Sequence, residues 1–127
     1  QFNTEVYDTD NAYDNSSNYR FTVPSAGKYF VTFQILAYDS SANLLGSRVA
    51  LYKNGSEAVD TITELDAGIS HRFYNHSQNI SVVMTLSAGD YLEVYGRGNT
   101  TDSGTFVLDG HSTSYYNYFS AYKLIGV

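Results

Sequence analysis

Apolar and polar residues alternate with a period of two along most of this chain. Over 28–38, Tyr29, Val31, Phe33 and Ile35 fall on one side, with Lys28, Thr32 and Gln34 on the other. Over 79–86, Ile80, Val82, Met84 and Leu86 alternate with Ser81 and Thr85. Successive side chains of an extended backbone point to opposite faces, so each segment predicts a strand buried on one side. Segments 18–24, 47–53, 90–97, 105–109 and 115–126 also read as strands. No stretch of about 12 residues carries apolar positions at i, i+3, i+4 and i+7, the spacing a helix needs. Many short strands without helices predict an all-β fold, an antiparallel β-sandwich or barrel.

Gly, Asn, Ser and Asp clusters separate the strands and supply turn chemistry. Asn54-Gly55 follows Arg48-Val49-Ala50-Leu51-Tyr52-Lys53 and suits a two-residue hairpin turn. Ser87-Ala88-Gly89-Asp90 separates two apolar strands, so 79–97 reads as a second hairpin. The long loops are expected around 39–46, 60–78 and 98–114. Loops held by a rigid sandwich are the usual carriers of binding function.

Length and composition narrow the function classes. At 127 residues the chain fits a single domain over 1–127. It has no Cys, hence no thiol nucleophile, Cys-ligated zinc or redox motif. Its net charge is −6, from 7 Lys and Arg against 13 Asp and Glu. That balance disfavours nucleic acid and anionic membrane surfaces, which need basic side chains to meet phosphates. No apolar run approaches the ~18 residues of a membrane span. The chain starts at Gln1 rather than Met, as a processed or trimmed product would.

Four motifs, in order, are more specific. The first is Phe2, Asp8, Tyr13, Phe21, Gly27, Tyr29 and Phe33, with Val23-Pro24 ahead of Ala26-Gly27-Lys28-Tyr29. The second is Val49 through Gly55, an apolar strand ending in Asn-Gly. The third is Leu86-Ser87-Ala88-Gly89-Asp90-Tyr91-Leu92-Glu93-Val94. The last is Tyr118-Phe119-Ser120-Ala121-Tyr122-Lys123-Leu124. Together they resemble the C1q-like domain over nearly the whole chain. The departures are one extra residue between Tyr13 and Phe21, Val31 where the family usually has Phe, and Ala121 in place of Gly. The resemblance implies a jelly roll of C1q and tumour necrosis factor type, a compact homotrimer, and an absence of catalysis. The family's usual first strand has no counterpart ahead of Phe2. It is lost, cut away, or supplied by another chain, and an unpaired edge is an assembly liability or an assembly device.

The aromatics divide accordingly. Tyr115, Tyr116, Tyr118, Phe119 and Tyr122 put rings on both faces of the last strand. A strand half-exposed to water carries polar residues on one face, so Tyr118, Phe119 and Tyr122 are read as a subunit interface. Tyr74, Asp66, Tyr115 and Tyr116 are the loop candidates for ligand binding. Tyr gives contact area at low entropy cost, and carboxylates accept hydrogen bonds from ligand hydroxyls. Asp8-Thr9-Asp10-Asn11 fails as a calcium-binding helix–loop–helix motif, because Ala12 stands where a ligand oxygen is needed. Asp8 and Tyr13 fit structural roles better. No cofactor is expected. Calcium is the one ion the resemblance leaves open, since some relatives hold it near the trimer apex, and no residue here is assigned to it. His71 and His76, five apart, would face opposite sides of a strand and make a poor chelate.

Three readings follow. The first is a trimeric, non-catalytic head in the extracellular space or on a cell or virion surface, binding protein or glycan through its loops. The second is a structural subunit of a surface fibre, virion appendage or filament. The third is a monomeric jelly-roll carbohydrate-binding module, with an exposed Tyr platform on one face. Five Asn-x-Ser/Thr sites, at Asn15, Asn54, Asn75, Asn79 and Asn99, fit a secreted surface without requiring one.

Overall fold

Two antiparallel sheets stack face to face in the computed structural model, which describes residues 2, 4–39, 43–66, 70, 72–101, 107–108 and 116–126. The strands are β1 (Tyr13–Asp14), β2 (Arg20–Thr22), β3 (Gly27–Tyr38), β4 (Leu44–Lys53), β5 (Ser56–Glu64), β6 (Asn75–Leu86), β7 (Tyr91–Thr100), β8 (Val107–Leu108) and β9 (Tyr118–Lys123). Sheet A runs β1-β2-β7-β4-β5. Sheet B is built on β3, which pairs with β6 along one side and with β9 and then β8 along the other. Among the described residues there is no helix. The all-β antiparallel sandwich is therefore as the alternation predicts.

The predicted inward faces are the buried ones. Tyr29, Val31, Phe33 and Ile35 of β3 meet Val49 and Leu51 of β4, Leu92 of β7, and Ile80 and Leu86 of β6. Phe33, Val31 and Leu51 are wholly buried. Burying an aliphatic or aromatic side chain of this size contributes about 1.5–3 kcal/mol, so this one layer holds the sheets together.

Three expectations about the loops change. β4 begins at Leu44, β5 extends to Glu64 and β6 begins at Asn75, so strand backbone takes up parts of the predicted 39–46 and 60–78 loops. β7 likewise reaches Thr100. The Asn54-Gly55 turn is a two-residue hairpin with Lys53 opposite Ser56, and both turn residues have positive φ, 52° and 77°. The second expected hairpin, 79–97, is not one. β6 pairs with β3 in sheet B, whereas β7 pairs with β2 and β4 in sheet A. The Ser87–Asp90 turn is a crossover from one sheet to the other. It runs beside the β2-to-β3 crossover and is stitched to it by Val23 N–H donating to Asp90 O (2.8 Å) and Gly89 N–H donating to Val23 O (2.9 Å).

The N-terminal signature residues do structural work. Asp8 Oδ2 accepts the Tyr13 N–H at 2.7 Å and Oδ1 accepts the Asp10 N–H at 3.2 Å. Burial alone would raise the Asp8 pKa, but backbone donors from Tyr13, Ala12, Asp10 and Asn11 outweigh it and hold the group below the usual range. The β1–β2 hairpin pairs Tyr13 with Phe21, and its 15–19 loop lies in the stretch that carries the extra residue. Asp14 organises that loop by accepting N–H bonds from Ser16, Ser17 and Asn18. Those donors push its pKa far below the usual carboxylate range.

Candidate functional site

The strand register turns the alternation into two outer faces of different chemistry. On sheet B, β6, β3 and β9 lie side by side and place three rows of residues towards the outside. The rows are Val83-Phe30-Tyr122, Ser81-Thr32-Ser120 and Asn79-Gln34-Tyr118. The first is apolar: Phe30 and Tyr122 rings lie 5.4 Å apart, and Val83 and Tyr122 are 54% and 53% exposed. The other two are polar and internally bonded. Thr32 and Ser81 hydroxyls are 2.8 Å apart, Asn79 Nδ2 donates to Tyr118 Oη at 3.0 Å, and Gln34 Nε2 donates to the Tyr116 carbonyl at 3.0 Å. Val83, Phe30 and Tyr122 thus form a contiguous apolar row across three strands.

The residues expected at a subunit interface divide between two faces. Tyr118 and Tyr122 stand on this outer face. Phe119, between them, points inward and is half-buried against Tyr13 (5.6 Å), Phe2 (6.1 Å) and Phe21 (6.1 Å). Burial in that cluster raises the Tyr13 pKa to about 12. Among the described residues β9 pairs only with β3, leaving its other edge without a strand partner.

The loop candidates are dispersed. Tyr74 is 52% exposed, edge-on to Tyr38 with centroids 5.0 Å apart and hydroxyls 2.9 Å apart. Tyr116 is exposed just ahead of β9. Both therefore stand against the second half of β3. Asp66 is exposed just past the end of β5, a strand of the other sheet. Tyr115 lies outside the described residues, as do His71 and His111. His76 is within β6 and points between the sheets, where its Nδ1 lies 3.0 Å from the buried Ser47 hydroxyl. Burial lowers its pKa below the ordinary imidazole value. Among the described residues no group of three or more His, Asp or Glu side chains is placed to hold a metal ion.

Sheet A presents a site that the sequence reading missed. Arg48 is opposite Arg97 and Ile62, Ala50 is opposite Tyr95 and Asp60, and Tyr52 is opposite Glu93 and Glu57. Arg48 Nε donates to Asp60 Oδ2 at 2.8 Å and Nη2 to Glu57 Oε1 at 2.7 Å. The Asp60 hydrogen bond, with both carboxylates nearby, pushes the Arg48 pKa above its ordinary value. Tyr52 and Tyr95 rings sit 4.7 Å apart at 55°. Between them and the two guanidinium groups lies a hollow of about 220 Å³ over Ala50 and Gly96. Arg48-x-Ala50-x-Tyr52 and Tyr95-x-Arg97 do share the period of two, but only the register sets them side by side.

A family model described as the C1q domain matches residues 1–122. No curated protein matches the chain.

Proposed function

This chain belongs to the C1q domain family, and from that premise we propose that it is a non-catalytic recognition head that works as a homotrimer at an extracellular, cell or virion surface. The observation that carries the reading is the outer face of sheet B. Its apolar row Val83-Phe30-Tyr122 is what a subunit interface core needs, and the Ser, Thr, Asn and Gln rows beside it suit a polar rim. Tyr118 and Tyr122 belong to that interface. Phe119 supports it from inside by packing β9 onto the core. With this face covered, the loops carrying Tyr74, Asp66, Tyr115 and Tyr116 are left to meet a protein or glycan.

Sedimentation analysis at micromolar concentration tests the reading. A trimer is expected, and Val83→Glu or Tyr122→Glu should yield folded monomers. A wild-type monomer would overturn it. A second reading, a structural subunit of a fibre or filament, draws on the open edge of β9. Open-ended polymers in the same experiment would favour it.

A further inference from the structure

The hollow on sheet A holds one guanidinium with carboxylate partners and one without. Arg48 and Arg97 are direct cross-strand neighbours, and like charges so placed repel. Arg48 is compensated by Glu57 and Asp60. The exposed Arg97 makes no ion pair with any described residue. Glu57 and Asp60 are thus spent on Arg48, Glu93 opposite Tyr52 makes an ion pair with neither guanidinium, and Arg97 presents only donors. A ligand completing the site must bring acceptors and negative charge. A guanidinium fork fits a carboxylate with two parallel hydrogen bonds.

The walls add a second demand. Tyr52 and Tyr95 offer ring faces with hydroxyl tips, and Tyr95 is 53% exposed. The floor is Ala50, only 4% exposed and flanked by these large neighbours. A ring with one apolar C–H face and hydroxylated edges would sit on that floor against a Tyr face. The geometry points to a subsite for an acidic pyranose, a sugar ring bearing a carboxylate, with the ring over Ala50 against Tyr95 and the carboxylate on Arg97. This rests on the recognition-head reading and moves the sugar contact from the loops to the sheet face that the interface on sheet B leaves open.

The test uses the full chain and a short galacturonic-acid oligosaccharide, followed by calorimetric titration, beside the same oligosaccharide methyl-esterified on its carboxyls. The free acid should bind about tenfold or more tighter than the ester, the equivalent of one charged hydrogen-bonded pair. Arg97→Gln, which removes the cation, and Ala50→Leu, which fills the hollow, should each weaken binding by about tenfold or more, while Ala88→Ser, on the exposed crossover turn, binds as wild type. Thermal melts and sedimentation confirm that each variant is folded and assembled. Equal affinity for acid and ester, or undiminished binding by both hollow variants, overturns the subsite while leaving sugar recognition elsewhere on the head intact. A wild-type trimer that binds neither sugar overturns the acidic-sugar assignment and leaves the recognition-head reading standing.

Discussion

Asn54→Ala would cut a clasp that joins the β4–β5 hairpin to the crossover between sheets. Asn54 Oδ1 accepts the Tyr91 N–H at 2.9 Å, and its Nδ2 donates to Asp90 Oδ1 at 2.8 Å. Asp90 Oδ2 in turn accepts the Ser87 N–H at 2.8 Å and pairs with Lys53 Nζ at 2.8 Å. Asn54 holds all this with φ at 52°. Each lost hydrogen bond is worth about 0.5–1.5 kcal/mol net. The left-handed backbone costs a residue such as Ala roughly 1–2 kcal/mol. Asn54→Ala should therefore destabilise by about 2–5 kcal/mol. Asn54→Gly loses the same hydrogen bonds without the backbone strain, and should cost only about 1–3 kcal/mol. Equilibrium urea unfolding at one fixed protein concentration reads both, because assembly would otherwise shift the apparent stability. Equal losses in the two variants would refute the backbone part of the argument. Losses below ~0.5 kcal/mol in both would refute the clasp itself.

Two further outcomes concern pH. Lys53, Asn54 and the Ser87 N–H hold Asp90 down to about 2, below the ordinary 3.8. A carboxylate depressed in the folded state stabilises above its unfolded pKa, and that stability is lost as pH falls from 3.8 towards 2; urea midpoints taken across this window should fall in the wild type and fall less steeply in Asp90→Asn, where Asp8 and Asp14 still titrate. His76 is the opposite kind of group, a base kept neutral by burial, so its contribution is present above the ordinary 6.5 and is lost as pH drops below it. His76→Gln should remove that slope between neutral and mildly acidic pH, and an unchanged slope in the variant would place the titrating group elsewhere.

What the sequence made legible follows from what periodicity can carry. β3 and β6 alternate strongly because one face of each is buried, so the inward residues of both and the extent of β3 are readable, whereas β6 starts four residues ahead of its predicted 79–86. β5 is an edge strand in which no residue is fully buried. Its pattern is correspondingly weak, and its second half falls within the predicted 60–78 loop. The Ser87–Asp90 turn has the residues of a reversal, but turn chemistry is local and does not say which sheet receives the next strand. The separation of Phe119 from Tyr118 and Tyr122 follows from alternation alone. That Tyr118 and Tyr122 share a row with Asn79 and Val83 requires a register set by residues some forty positions apart. The sheet A hollow is of the same kind, since Ala50 acquires Tyr95 and Arg97 as neighbours in the hollow only through pairing.

The place of β9 in sheet B has a consequence for synthesis. The partner along most of one side of β3, from Tyr29 opposite Lys123 to Gln34 opposite Tyr118, is translated about ninety residues after it. Pairings that distant in sequence form slowly, because the closure entropy falls due before any contact rewards it. While the chain is still being elongated, β3 and β6 can form a ribbon, but the inward Phe119 that meets Phe21 and Tyr13 has not arrived. The nascent molecule therefore carries an exposed aromatic seam until β9 emerges, and its yield depends on how quickly that strand docks.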